Sequence, residues 1–131
     1  MEIIPIHASG AIARAAKTLL AGHLVAFPTE TVYGLGADAT NEEAVSRIFA
    51  VKGRPTDHPL IVHISSTNRL EIWASDIPAY ALALAEKFWP GPLTLILKRK
   101  EIAKDYITGG QDSVGIRVPA HREALELLNK F

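Results

Sequence analysis

The sequence predicts an α/β domain. Helical apolar periodicity alternates along it with short apolar runs, glycine and proline punctuate the joints, and no repeat or low-complexity stretch interrupts the pattern. At 131 residues, with 48% hydrophobic and 21% charged side chains, the chain suits one domain with a buried core and excludes disorder as the main state.

Taken in order, Ile12, Ala15, Ala16, Leu19 and Leu20 recur at helical spacing after Ser9, and Gly22 stands where a left-handed terminating residue belongs, which predicts a helix from Ala11 to Ala21. Leu24-Val25-Ala26-Phe27, stopped by Pro28, reads as a buried strand whose loop carries Thr29 to Gly36. Thr40 and Glu43 have capping-box spacing and open a helix that presents Val45, Ile48 and Phe49 on one face and ends at Gly53. Pro59 to Ile64 reads as a strand with Leu60, Val62 and Ile64 on one side and Ile61 and His63 on the other. A helix follows from about Pro78, with Asp76 before it, to Phe88, where Trp89-Pro90-Gly91-Pro92 forces a turn. Leu93 to Leu97 and Val114 to Val118 read as strands, and Ala124, Leu125, Leu127 and Leu128 form a helical stripe within His121 to Phe131.

Fourteen Lys plus Arg balance fourteen Asp plus Glu, so overall charge favours neither a polyanion nor an anionic membrane. Any anion site must be local. Cysteine is absent, which excludes disulfide scaffolds, thiolate metal sites and thiol catalysis. Met1 to Pro5 lacks the cationic start of a signal peptide, and no apolar run approaches the roughly 18 residues of a spanning helix, so a cytoplasmic location is expected.

Several residue groups bear on chemistry. The loop Pro28-Thr29-Glu30-Thr31-Val32-Tyr33-Gly34-Leu35-Gly36 combines hydroxyls with two glycines after a strand, where α/β proteins bind ligands. It has the spacing of neither a P-loop nor a dinucleotide fingerprint, and taken alone it reads first as a turn with positive φ at Gly34 or Gly36 and threonines capping nearby amides. Lys52-Gly53-Arg54 can grip phosphate or simply complement a helix end, and between Ala44 and Arg69 four cations face Asp57 alone. His58 and His63 match no compact metal-ligand spacing; His63, on a sheet face, is either a satisfied interior group or a hydrogen-bonding partner for a polar substrate. Ser113 and Arg117 lie four residues apart on one strand face, and an arginine on so apolar a strand requires a carboxylate from protein or ligand. Lys98-Arg99-Lys100 reads as a solvated turn.

Five motifs together, Pro28 to Gly36, Lys52-Gly53-Arg54-Pro55, His58 to His63, Trp89-Pro90-Gly91-Pro92-Leu93-Thr94 and Gly115-Ile116-Arg117-Val118-Pro119, resemble in order and spacing the YrdC/Sua5 family of L-threonylcarbamoyladenylate synthases. The resemblance implies a single twisted mixed β-sheet with flanking helices, residues 1–131 forming the N-terminal major part of the family domain. A further strand and a Ser-x-Asn motif follow the corresponding helix in the family, and this chain ends before them. It also implies formation of threonylcarbamoyl-AMP and pyrophosphate from L-threonine, bicarbonate or CO2, and ATP with Mg2+, for modification of adenosine 37 in tRNA to threonylcarbamoyladenosine (t6A). tRNA and downstream t6A-forming proteins would be partners, and no membrane would be. Thr31, His63 and Arg117 match the family's threonine-holding positions, and Lys52, Arg54, His58 and Ser113 its ATP-holding positions. No side chain acts covalently in that chemistry. The rival readings are a nucleotide- or RNA-binding module without catalysis and a carbamoyl-transfer domain.

Overall fold

A computed structural model describes residues 1–131. The elements, in order, are α1 (Ala11–Leu20), β1 (Val25–Phe27), β2 (Gly34–Gly36), α2 (Glu42–Lys52), β3 (Ile61–His63), a 3-10 turn (Thr67–Arg69), α3 (Leu70–Trp73), β4 (Ala74–Ser75), α4 (Ala79–Phe88), β5 (Leu95–Arg99), α5 (Asp105–Thr108), β6 (Ser113–Arg117) and α6 (Arg122–Leu128). The α/β alternation expected from the sequence is present. Strands β3, β6, β5 and β4 form a mixed sheet in that spatial order, with β3 parallel to β6 and the other pairings antiparallel; β1 and β2 form a separate antiparallel ribbon.

The period of two along each strand divides the four-stranded sheet into unlike faces. Val62, Ile64, Leu95, Leu97, Val114, Ile116 and Val118 point into the main core, which Leu70, Trp73, Ala81, Ala85, Trp89, Ala103 and Ile107 complete from the helices and turns. Ile61, His63, Ser113, Gly115 and Arg117 lie on the other face, level in the sheet with Ile96 and Lys98 of β5. Ile61 and Ile96 are exposed there, so this face is open. A smaller cluster of Ala16, Leu19 and Leu127 joins α1 to α6, with Val25 and Phe27 of the ribbon packed against it. No helix is long and apolar enough to cross a membrane.

Local chemistry explains the element ends. Gly22 and Gly53 adopt φ of 87° and 62°, closing α1 and α2 in the left-handed region that glycine enters freely. The expected capping box is not formed. Asn41 caps α2 by accepting the Ala44 amide at 3.1 Å, because Asp38 has captured the Thr40 hydroxyl and amide at 2.7 and 2.9 Å.

The expected buried strand at Leu24 to Phe27 is only partly buried, with Ala26 exposed, since it pairs with β2 at the margin instead of entering the main sheet. Lys98-Arg99-Lys100 is likewise not a solvated turn. Lys98 and Arg99 end β5, and Arg99 turns to the core side, where it donates to the Ala103 carbonyl at 3.0 Å and the Thr108 hydroxyl at 2.9 Å and pairs with Asp105 at 2.8 Å.

Candidate active site

The open sheet face carries ionic groups at the carboxyl ends of β3 and β6. Parallel pairing sets His63 level with Arg117, so the imidazole and the guanidinium leave adjacent strands side by side. Arg117 is buried to 9% exposure, and the carboxylate that such a residue requires comes from Glu30. One Glu30 oxygen takes an N–H of Arg117 Nη2, and the other accepts the Ala120 amide at 2.6 Å. Arg117 Nε donates to the Gly91 carbonyl at 3.0 Å, while the Gly91 amide donates to Val118 at 2.8 Å. The Trp-Pro-Gly-Pro turn therefore clamps the end of β6 from both sides of Arg117. Gly91 permits the turn itself, because a Cβ there would lie 2.3 Å from the Phe88 carbonyl oxygen.

Burial, and secondarily the Arg117 charge, hold His63 below its ordinary pKa of 6.5; a backbone hydrogen bond at Ile61 and the Glu30 charge oppose the shift. His63 is therefore neutral at pH 7 and able to accept a proton or a hydrogen bond. Phe27 meets its ring edge-on, with centroids 6.3 Å apart.

Phe27 also explains one of the two loop glycines, Gly36. Neither Gly34 nor Gly36 has positive φ, contrary to the turn reading: both lie in β2, and a Cβ on Gly36 would come within 2.7 Å of the Phe27 ring. The threonine part of that reading agrees with the structure. Thr29 Oγ1 donates to Val32 at 2.6 Å and accepts the Thr31 amide at 3.2 Å, so in its 3.0 Å contact with Thr31 Oγ1 it must accept again. Thr31 is exposed directly after Glu30, with its hydroxyl lone pairs free.

A second group sits toward the other end of the same strands. Lys52 ends α2 with its side chain exposed, and the Arg54 amide closes the helix on Phe49 at 3.0 Å. Arg54 is half-buried and donates from Nη2 to the Pro59 carbonyl at 3.3 Å. His58 is exposed in the turn its amide makes with Pro55 at 3.2 Å. Short helix α5 supports this loop from behind: Leu60 donates to Ile107 at 2.8 Å, and Gly109 runs so close that a Cβ there would fall 2.3 Å from the Asp57 carbonyl oxygen. Ser113, half-buried, opens β6 four residues after Gly109 and so lies at this end of the strand.

Of the sequence-predicted residues, the fold thus gathers His63 and Arg117, with Thr31 tethered beside them through Glu30, and separately Lys52, Arg54 and His58 along one loop with Ser113 at the same strand end. No side-chain bond joins the two groups. Ser113 and Arg117 are four residue steps apart along β6, about 13 Å at strand rise. Glu30, Phe27 and Gly91 escaped notice as individual site residues. Glu30 does carry a signal: it is the one acid in the loop that follows β1, and Arg117 needs a carboxylate.

Comparison with known proteins bears on this arrangement. The Sua5/YciO/YrdC family model, described as "Telomere recombination", matches residues 17–131. Threonylcarbamoyl-AMP synthase of Pyrococcus abyssi is 58% identical over 114 residues, covering 87% of this chain and 34% of that protein. The Bacillus subtilis enzyme of the same name is 50% identical over 120 residues, covering 91% of this chain and 35% of that one. The chain spans about a third of the length of these two relatives, and 63% of the synthase of Halorhodospira halophila. Among solved structures, P. abyssi Sua5 complexed with L-threonine superposes with a TM-score of 0.91 at 53% identity, covering 98% of this chain and 37% of that one. Escherichia coli YciO, 24% identical, shares the fold with a TM-score of 0.81. With the family model covering nearly all of a chain whose sheet and motif order follow the same plan, the chain belongs to the Sua5/YciO/YrdC family.

Proposed function

We propose that this chain forms the threonine- and ATP-binding face of a threonylcarbamoyl-AMP synthase, converting L-threonine, bicarbonate or CO2, and ATP to threonylcarbamoyl-AMP and pyrophosphate for t6A modification of tRNA in the cytoplasm. The observation that carries this reading is the juxtaposition of Arg117 and His63 by parallel register, with Glu30, next to Thr31, paired to Arg117 and a cationic loop at the other end of the same strands.

Arg117 receives the amino-acid carboxylate through its remaining N–H donors, and Thr31 and neutral His63 hold the polar side chain. Lys52, Arg54, His58 and Ser113 hold the nucleotide, the two cations on its phosphates. The span of about 13 Å between the groups suits an amino acid laid end to end with a nucleotide's phosphates. Threonine's amine, once deprotonated, adds to CO2 to give a carbamate. A carbamate oxygen then forms a bond to the α-phosphorus as the bond to the leaving pyrophosphate breaks. No protein nucleophile takes part, so the rate rests on alignment and on neutralising charge that grows on pyrophosphate. Mg2+ would accompany ATP, held chiefly by its phosphate oxygens.

The test is pyrophosphate release dependent on both L-threonine and bicarbonate. Arg54→Ala is expected to lower it at least about tenfold, roughly 1.4 kcal/mol of transition-state stabilisation. Unchanged turnover would remove Arg54 from the mechanism. Salt-sensitive RNA binding without any AMP-containing product would favour a binding module instead.

A further inference from the structure

The Arg117–Glu30 pair leaves hydrogen-bonding capacity on both partners. Arg117 has five N–H donors and gives one to Gly91 and one to Glu30. Its Nη1 makes no bond within the chain, yet no buried side-chain nitrogen or oxygen lacks a partner, so Nη1 is accessible. Glu30 uses one lone pair of each oxygen, for Arg117 and for the Ala120 amide, and keeps a second on each. Its side chain is 24% exposed, against 11% for Arg117. A cation and an anion are thus held edge to edge, with a free donor on one and free acceptors on the other.

Charge decides what such a pair accepts. The pair is neutral as a unit, so a simple carboxylate on Arg117 would bring an uncompensated negative charge beside Glu30 in a partly desolvated setting. A zwitterionic amino acid brings no net charge. Its carboxylate and ammonium leave the same carbon and lie side by side, as the two protein groups do.

We infer that Glu30 is a specificity-determining residue that receives the α-ammonium of the incoming amino acid while Arg117 receives its carboxylate. The inference rests on the proposed role of Arg117 and adds the requirement for a free amine. Glu30 fixed on the Ala120 amide, at the turn leading into α6, is held ready for that role without rearrangement of β6. A carboxylic acid lacking the amine meets repulsion at the same place.

The experiment is calorimetric titration of the full chain and of Glu30→Gln with L-threonine and with (R)-3-hydroxybutyrate, which keeps the hydroxyl and carboxylate and lacks the amine. Wild type is expected to prefer threonine by about tenfold or more, the scale of one charge-assisted hydrogen bond. Glu30→Gln should bind threonine at least about tenfold more weakly and the amine-free acid no more weakly than wild type does, so that the preference collapses. Loss of both ligands to the same degree, or of neither, would overturn the assignment of Glu30. Because the two ligands are compared on one variant, any general loosening of the fold affects both alike. Arg117→Gln separates the underlying reading: it should lose both ligands, and threonine binding that survives it, or no binding of either ligand by any chain, would overturn the carboxylate site itself.

Discussion

Replacing Gly109 by alanine tests whether the cationic loop is held in place by close backbone packing, and Gly110→Ala supplies the control. Both glycines have positive φ, 65° and 82°, so alanine at either incurs the left-handed penalty of about 1–2 kcal/mol. Only Gly109 has a neighbour in the way. Its Cβ would fall 2.3 Å from the Asp57 carbonyl oxygen and 2.9 Å from the Asp57 carbonyl carbon, where ordinary contact begins at 3.4 Å, whereas nothing lies within 4 Å of a Cβ on Gly110. The backbone carrying Arg54 to Pro59 must therefore retreat by about 1 Å or α5 must shift, a strain of about 1–3 kcal/mol. We expect losses in urea denaturation of about 1–2 kcal/mol for Gly110→Ala and about 2–5 kcal/mol for Gly109→Ala. A displacement of this size in a reaction that depends on alignment costs up to about 100-fold in rate, so Gly109→Ala should also lower pyrophosphate release tenfold or more while Gly110→Ala changes it little. Equal losses of stability in the two variants would refute the argument that the Asp57 contact matters.

His63→Gln should alter the pH dependence of stability. The native pKa of His63 lies below its ordinary 6.5, so the unfolded chain binds the proton first as pH falls. Stability from the neutral imidazole is complete above about pH 6.5 and is lost as pH falls through the lowered native value. Thermal melts from pH 7.5 to 5 should therefore fall less steeply for the variant, and parallel curves would contradict the shift. Arg99→Gln should cost about 2–3 kcal/mol in urea denaturation, because Thr108, 1% exposed, and the Ala103 carbonyl lose their shared donor. A loss under about 0.5 kcal/mol would show that water replaces the guanidinium.

The elements legible in the sequence were those whose signals are local. The period of α1 and its stop at Gly22, the stop of α2 at Gly53 and the alternation in β3 each depend on residues a few positions apart. Helices α3 and α5 have four residues each, too few to display a period, and they form because tertiary contacts hold them. Gly36 shows a related limit: what requires it is the Phe27 ring across the ribbon, and in the sequence a glycine that faces a ring looks the same as a glycine in a turn. Arg99 reads as part of a charge run because its acceptors lie in and just before α5, itself invisible to periodicity. In the site, the need of Arg117 for a carboxylate followed from strand alternation, but its supplier lies 87 residues away and no local rule selects it.

Register is what joins the stability of this fold to its chemistry. Along β6, Val114 and Ile116 enter the core, followed by Val118 just beyond the strand, while Ser113, Gly115 and Arg117 take the open face. A slip of one residue against β3 would exchange the two sets. It would take three apolar side chains out of the core, at about 1.5–3 kcal/mol each, and drive Arg117 into the core without Glu30, at several kcal/mol more. The alternation that stabilises the sheet therefore also sets Arg117 level with His63, and no separate interaction is needed to align them. Gly115 lies between Ser113 and Arg117 on the open face, level with Ile61 and Ile96, and extends no side chain there. A Cβ there would meet the Thr94 and Ile61 side chains at 3.4 and 3.7 Å, so alanine fits the sheet as it stands, whereas a longer side chain must displace Thr94 or reach out over the open face while the core face stays unchanged.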